Sequence, residues 1–181
     1  MGQPKLLMPW GIMTVITSVI NTLELAGVEQ IVLVTGASHD LLADALRADS
    51  VQLAFNPDFA DGSMVHSLQT GLREMQRLGM DSALLALGDQ PQIQVTTVRA
   101  VLAAGKANPG RLVLPSFQMK RGHPWLIPTS LWPLIFNLAP DQTMRDFVRS
   151  QESSIAYALV DTPSIIADLD TPADYEREKP R

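Results

Sequence analysis

Ala83-Leu84-Leu85-Ala86-Leu87-Gly88-Asp89-Gln90-Pro91 is the stretch that decides the fold. Five aliphatic residues in a row, stopped by Gly and Asp, are too short for a core helix and apolar at every position. That is the pattern of a strand covered on both faces. Three other runs share it: Ile31 to Thr35, Val51 to Phe55 and Arg111 to Pro115, each bounded by Gly, Asn, Asp or Pro. Between the runs lie segments with apolar residues at helical spacing, Val15 to Leu25, Leu41 to Leu46, Val65 to Leu78 and Val95 to Ala104. Strand and helix in alternation predict an α/β fold, a mainly parallel sheet with helices on both sides.

After Pro115 the rhythm changes. Gln118 to Gly122 reads as a turn, Trp125 to Ile127 as a further strand, and Leu131 to Phe136 and Met144 to Val148 as two short helices. Thr143 with Asp146 makes a capping box for the second of these. Ile155 to Val160 and Ile165-Ile166 read as extended pieces. Thr171-Pro172-Ala173-Asp174 opens a last helix with an N-cap, a first-turn proline and an acid at N3. The tail Glu176 to Arg181 is charged and expected to fray.

With 181 residues and 46% hydrophobic content, the chain suffices for one core, so residues 1–181 are read as a single domain. Charged residues make up 18% and the net charge is -5, which leaves no broad basic face for a nucleic-acid backbone. A small-molecule substrate is expected instead. Cys is absent, which excludes disulfides and thiolate nucleophiles and agrees with a reducing cytoplasm. Leu6 to Ala26 is interrupted by Pro9, Gly11, Asn21 and Glu24, so neither a membrane span nor a signal peptide is expected. The opening Met1-Gly2-Gln3-Pro4-Lys5-Leu6 lacks the hydroxyl residue of a myristoylation signal.

In open parallel sheets ligands gather beyond the carboxyl ends of the strands. There Asp89 places a carboxylate where a metal ion and phosphates can meet it, although an Asp beside Pro is also an ordinary turn residue. Asp168-Leu169-Asp170 sends two carboxylates to one side by strand alternation, or serves the start of the helix that follows. Acids converging from distant segments suit magnesium, an oxygen-seeking cation. Asn56-Pro57-Asp58, with Gly62, Ser63 and Ser67, forms a polar loop running into a helix whose free N–H groups can receive an anion or a base edge; Ser63 equally fits an N-cap. Lys5 is the single Lys or Arg in the first 46 residues and suits phosphate neutralisation. Arg121-Gly122-His123-Pro124 brings a cation and a group titrating near neutrality into a turn, where a surface histidine is the plainer reading.

Taken in order, Met1-Gly2-Gln3-Pro4-Lys5-Leu6-Leu7, Asn56-Pro57 with Gly62, Ser67-Leu68 and Gly71-Leu72, Gly88-Asp89-Gln90-Pro91, Gly122-His123-Pro124 and Asp168 to Tyr175 resemble the molybdenum cofactor cytidylyltransferases. The resemblance spans nearly the whole chain. It implies a three-layer Rossmann-like nucleotidyltransferase fold and, in the cytoplasm, transfer of CMP from CTP to the phosphate of the molybdopterin cofactor, with release of pyrophosphate. It further implies that Lys5 neutralises the triphosphate and that Asp89 and Asp170 hold Mg2+, assisted by Asp168. Asn56, Gly62, Ser63 and Ser67 would line the nucleotide, and Arg121 and His123 would face the pterin phosphate. A recipient molybdoenzyme is an implied partner; nucleic acid and membrane are not.

Members of that family begin with an apolar strand and a loop of the form Ala-Ala-Gly-x-Ser-x-Arg ahead of Met-Gly-x-x-Lys. Here the Met of that motif is residue 1, so the first strand and the phosphate loop are missing and an N-terminally truncated reading is expected. Two alternatives stay open: a guanylyl-transferring enzyme that uses GTP, and a non-catalytic protein that binds and delivers the cofactor. A sugar- or polyol-phosphate cytidylyltransferase is a third.

Overall fold

Aliphatic runs become strands and periodic segments become helices in the computed structural model, which describes residues 4–46, 51–61, 63–167, 169 and 171–180. After a 3-10 turn at Lys5–Leu7, β1 (Pro9–Trp10) and β2 (Met13–Thr14) make a small antiparallel hairpin leading into α1 (Val15–Leu25). Then follow β3 (Ile31–Thr35), α2 (His39–Ala45), β4 (Val51–Phe55), α3 (Met64–Arg77), β5 (Ser82–Leu85), α4 (Val95–Ala107) and β6 (Val113–Phe117). The second half adds β7 (Lys120–Arg121), β8 (Trp125–Pro128), α5 (Trp132–Phe136), α6 (Met144–Ser150), β9 (Ala156–Leu159) and α7 (Pro172–Glu178).

Capping explains where three helices start. Thr14 with Thr17, Thr143 with Asp146 and Thr171 with Asp174 each close a reciprocal capping box, satisfying N–H groups that have no intrahelical partner. Two local expectations need correction. Ile165 and Ile166 are not extended: Thr162 caps Ser164 N, Pro163 presets the backbone, and Pro163–Ile166 forms a 3-10 turn. The strand expected at Arg111 begins at Val113, because the Arg111 guanidinium donates to the Ser154 and Ile155 carbonyls and the β6–β9 ladder starts at Val113 and Ala156.

Ladders are mixed. β3 and β4 pair in parallel, as do β6 and β9, while β8 lies antiparallel to both β5 and β6. Two antiparallel steps through β8 leave β5 and β6 running the same way. Side chains alternate between faces as strand geometry requires: Ala83, Leu114 and Ile127 join Leu68 and Leu72 of α3, Ile135 of α5 and Phe147 of α6 in one core. Val113, Leu126 and Ala156 turn the other way and join Val101 of α4, with Val19 and Leu23 of α1 packed on Val98 beside them. Helices thus cover both faces, a three-layer arrangement. Leu72 is 1% exposed, and burying a leucine this fully stabilises by about 1.5–3 kcal/mol.

Between β3 and β5 the sheet is open. Among the described residues β3 pairs only with β4, and β5 only with β8. Two cavities, ≈ 470 and ≈ 460 Å³, share Val32 and Leu33 of β3 and Ala83 and Leu84 of β5 in their walls. The first is closed by Ile16, Val19 and Ile20 of α1, the second by Leu68, Gly71 and Leu72 of α3. Together they form a slot walled by two strands and roofed on each face by a helix. This corrects the expectation that these runs are covered on both faces: Ile31 to Val34 and Leu84-Leu85 are only half-buried, because each faces the slot.

Candidate active site

The slot opens beyond the end of β5, where Leu87-Gly88-Asp89 follows the strand. Leu6, in the first turn of the chain, packs over Gly88, 3.6 Å from where a Cβ would stand. That contact carries its neighbour Lys5 to the same opening, and Lys5 Nζ donates to Asp89 Oδ2 at 2.8 Å. Their side chains are 29% and 34% exposed, so water screens the pair and its contribution to stability is about 0–1 kcal/mol. Both line the second cavity.

The polar loop after β4 connects to this cavity through Ser67. Asn56 is buried, its Nδ2 donates to Ser67 Oγ at 3.1 Å, and its Oδ1 accepts from Asp58 N at 3.0 Å. Ser67 lines the cavity with Met64, on the turns of α3 nearest its start. Ser63 occupies the N-cap position, but its side chain makes no capping hydrogen bond. Gly62, Asp168 and Asp170 lie outside the described residues.

Their neighbours are informative. Gln92 Nε2 donates to Ala167 O at 2.5 Å, and Leu169 is buried in a cluster with Leu6, Trp10 and Val15. The chain on either side of position 168 is therefore held against the loop after β5 and against the turn that carries Lys5. Among the described residues no three Asp, Glu or His side chains converge. Asp89 offers one carboxylate oxygen pair suited to a hard divalent cation.

Arg121 and His123 lie elsewhere on the same edge. Ser116 and Phe117 of β6 pair with Arg121 and Lys120 across a two-residue turn, Gln118-Met119, with φ of 49° and 66°. Gly122 then passes so close to Ile165 O that a Cβ would stand 2.0 Å from it, which explains the glycine. His123 follows, joined to Pro124 by a cis peptide, and stacks on Trp125 at 4.6 Å and 11°. It borders a small crevice with Leu87 and Gln90. Arg121 bonds Glu152 at 2.9 Å and covers the Tyr157 ring; the Glu152 hydrogen bond raises its pKa above the ordinary value. It opens onto a third cavity, away from Asp89, with Trp125, Arg145 and Arg149.

Helices on both faces of a mixed sheet, with a cation and a carboxylate paired beyond a strand end, define an α/β nucleotidyltransferase fold. Residues 1–155 match the MobA-like NTP transferase domain, and the chain belongs to that family. Among curated proteins it is 27% identical over 156 residues to the nicotine blue oxidoreductase of Paenarthrobacter nicotinovorans, covering 82% of this chain and 74% of that protein. Rv0371c of Mycobacterium tuberculosis H37Rv, solved in complex with manganese, superposes with a TM-score of 0.79 at 26% identity, over 97% of this chain and 91% of that one. A nucleotidyl transferase from Methanothermobacter thermautotroptrophicus gives 0.79 at 22% identity, over 97% and 83%. Among the described residues no helix is long and apolar enough to cross a membrane.

Proposed function

We propose that the chain is a single-domain cytidylyltransferase that moves CMP from CTP to the phosphate of the molybdopterin cofactor, giving molybdopterin cytosine dinucleotide. The observation that carries this reading is the Lys5–Asp89 pair at the mouth of the slot, with Ser67 on the facing wall. An oxygen of the acceptor phosphate attacks the α-phosphorus of CTP in line. A new P–O bond forms, the bond to the bridging α–β oxygen breaks, and pyrophosphate leaves with the electron pair. No protein nucleophile is needed; positioning and charge neutralisation suffice.

In this reading Lys5 neutralises the triphosphate, while Asn56, Gly62, Ser63 and Ser67 line the base and ribose. Asp89, with Asp168 and Asp170, would hold Mg2+, which would supply charge neutralisation for the α-phosphate and the departing pyrophosphate. The manganese complex of Rv0371c supports a divalent ion in a relative. Ala167 accepts from Gln92, in the loop after β5, and Leu169 packs with Leu6, the neighbour of Lys5. Arg121 and His123 face the acceptor.

The test is pyrophosphate release with molybdopterin, magnesium and either CTP or GTP. Faster turnover with CTP is expected. Preference for GTP would reassign the chain to the guanylyl branch. Cofactor binding without turnover of either nucleotide would favour a delivery role.

A further inference from the structure

Among the described residues the outer edge of β9 is open. β9 pairs only with β6, in an unbroken parallel register from Val113 and Ala156 to Ser116 and Leu159. Ala156 N donates to Leu112 O at 2.9 Å and Val160 N to Ser116 O at 3.0 Å. Alternation along the strand therefore turns the N–H and C=O of Ala158 to β6 as well, and those of Tyr157 and Leu159 outward. Both outward residues also expose their side chains, Leu159 at 82% and Tyr157 at 42%. Folded proteins blunt an open edge with charged residues, proline or a bulge. Ile155-Ala156-Tyr157-Ala158-Leu159-Val160 has no charge and no proline, and the register contains no bulge. Beside the strand a groove of ≈ 500 Å³, walled by Thr96, Thr97 and Ala100 of α4, leaves room for another backbone.

The edge is complementary to itself. An antiparallel copy related by a twofold axis through Ala158 sets Tyr157 opposite Leu159 of the second copy, and Leu159 opposite its Tyr157. Each pair exchanges its N–H and C=O groups and lays a tyrosine ring beside an exposed leucine. The same register carries Asp161 to a place opposite Ile155. There the Arg111 guanidinium donates to the Ser154 and Ile155 carbonyls through Nε and one terminal nitrogen, and its other terminal nitrogen still has N–H groups to give. Among the described residues neither Arg111 nor Asp161 is in an ion pair.

We infer that the chain forms a symmetric dimer by antiparallel pairing of β9 with β9 of a second copy, joining two sheets into one. An unrelated strand would satisfy the backbone edge alone; a second copy also brings Asp161 to Arg111 at both ends. The four residues of β9 make a small contact beside the roughly 800 Å² per partner of a standard interface, so the association is reversible and depends on concentration.

Sedimentation velocity of the full chain over a range of concentrations tests this. A monomer–dimer equilibrium is expected, weakened about tenfold or more by Leu159→Pro, which removes an outward donor and no bond to β6. Leu159→Lys should weaken it similarly. Asp161→Lys should weaken it by setting two cations together, whereas Asp161→Glu should not, and circular dichroism should show all four folded like the parent. The chain has no Cys, so Ala158→Cys supplies a single thiol on the twofold axis. Facing residues of that kind have Cα atoms about 4.5 Å apart, within reach of a disulfide, so mild oxidation should give a covalent dimer. Ala156→Cys, which faces Val160 in this register, should not. A monomer at every concentration overturns the proposal. So does a dimer that Leu159→Pro and Asp161→Lys leave intact, or one that crosslinks as readily through Ala156→Cys as through Ala158→Cys, since the contact would then lie on another face or in another register.

Discussion

Lys5 Nζ meets Asp89 Oδ2 at 2.8 Å although 84 positions separate them in sequence. The contact is half-exposed, so it stabilises little, yet it puts a cation and a carboxylate at one opening. Asp89→Asn should therefore leave circular dichroism and the melting temperature nearly unchanged while lowering pyrophosphate release by about 100-fold or more, the scale of losing an electrostatic group from a transition state. Turnover within a few fold of the parent would return Asp89 to the role of a turn residue.

The open slot predicts that adding a strand helps. A segment of five or six apolar residues followed by a glycine-containing loop, placed ahead of Met1, should pair with both β3 and β5. Each ladder bond is worth about 0.5–1.5 kcal/mol, and about 1 kcal/mol shifts the melting point by roughly 2–4 °C at this size. The extended chain should melt several degrees higher and bind CTP more tightly, whereas a version with proline at the strand centre should not. Identical melting and CTP affinity in all three would show that the slot accepts no strand.

Asn56 and Ser67 hold the polar side of the opening. Ser67→Ala removes the acceptor of the Asn56 Nδ2 donor, and Asn56 is 1% exposed. Leaving such a group unpaired costs about 1–3 kcal/mol, so denaturant titration should show that loss, accompanied by weaker CTP binding. A change in stability alone would make the pair structural.

Gln118 and Met119 both adopt positive φ in the turn between β6 and β7, a conformation that suits Asn-Gly far better. Replacing them by Asn and Gly should relieve about 1–2 kcal/mol of backbone strain and raise the melting temperature without changing turnover. An unchanged or lower melting point would refute the strain.

Much of this was legible beforehand. The runs at Ile31 and Ala83 and the periodic segments fixed the α/β class, because strand and helix periods differ, and the Thr143 and Thr171 boxes were visible since capping is local. Where reading failed, the cause lay outside the local window. Ile165-Ile166 is as apolar as a strand, but Thr162 and Pro163 dictate a turn. Arg145 and Arg149 read as an ordinary solvated face until β7 sets Arg121, and β8 Trp125, beside them.

Sequence alone, then, determined the succession of elements and the types of side chain placed at strand ends, since both follow from spacing and backbone preference within a few residues. Only the tertiary structure decided which of those side chains share a space. Lys5 joins Asp89 because Leu6 packs on Gly88, Arg121 parts from them because β7 turns it toward α6, and β3 and β5 stand apart with no described strand between them. Such pairings depend on contacts between segments far apart in the chain, and no periodicity along one segment encodes them.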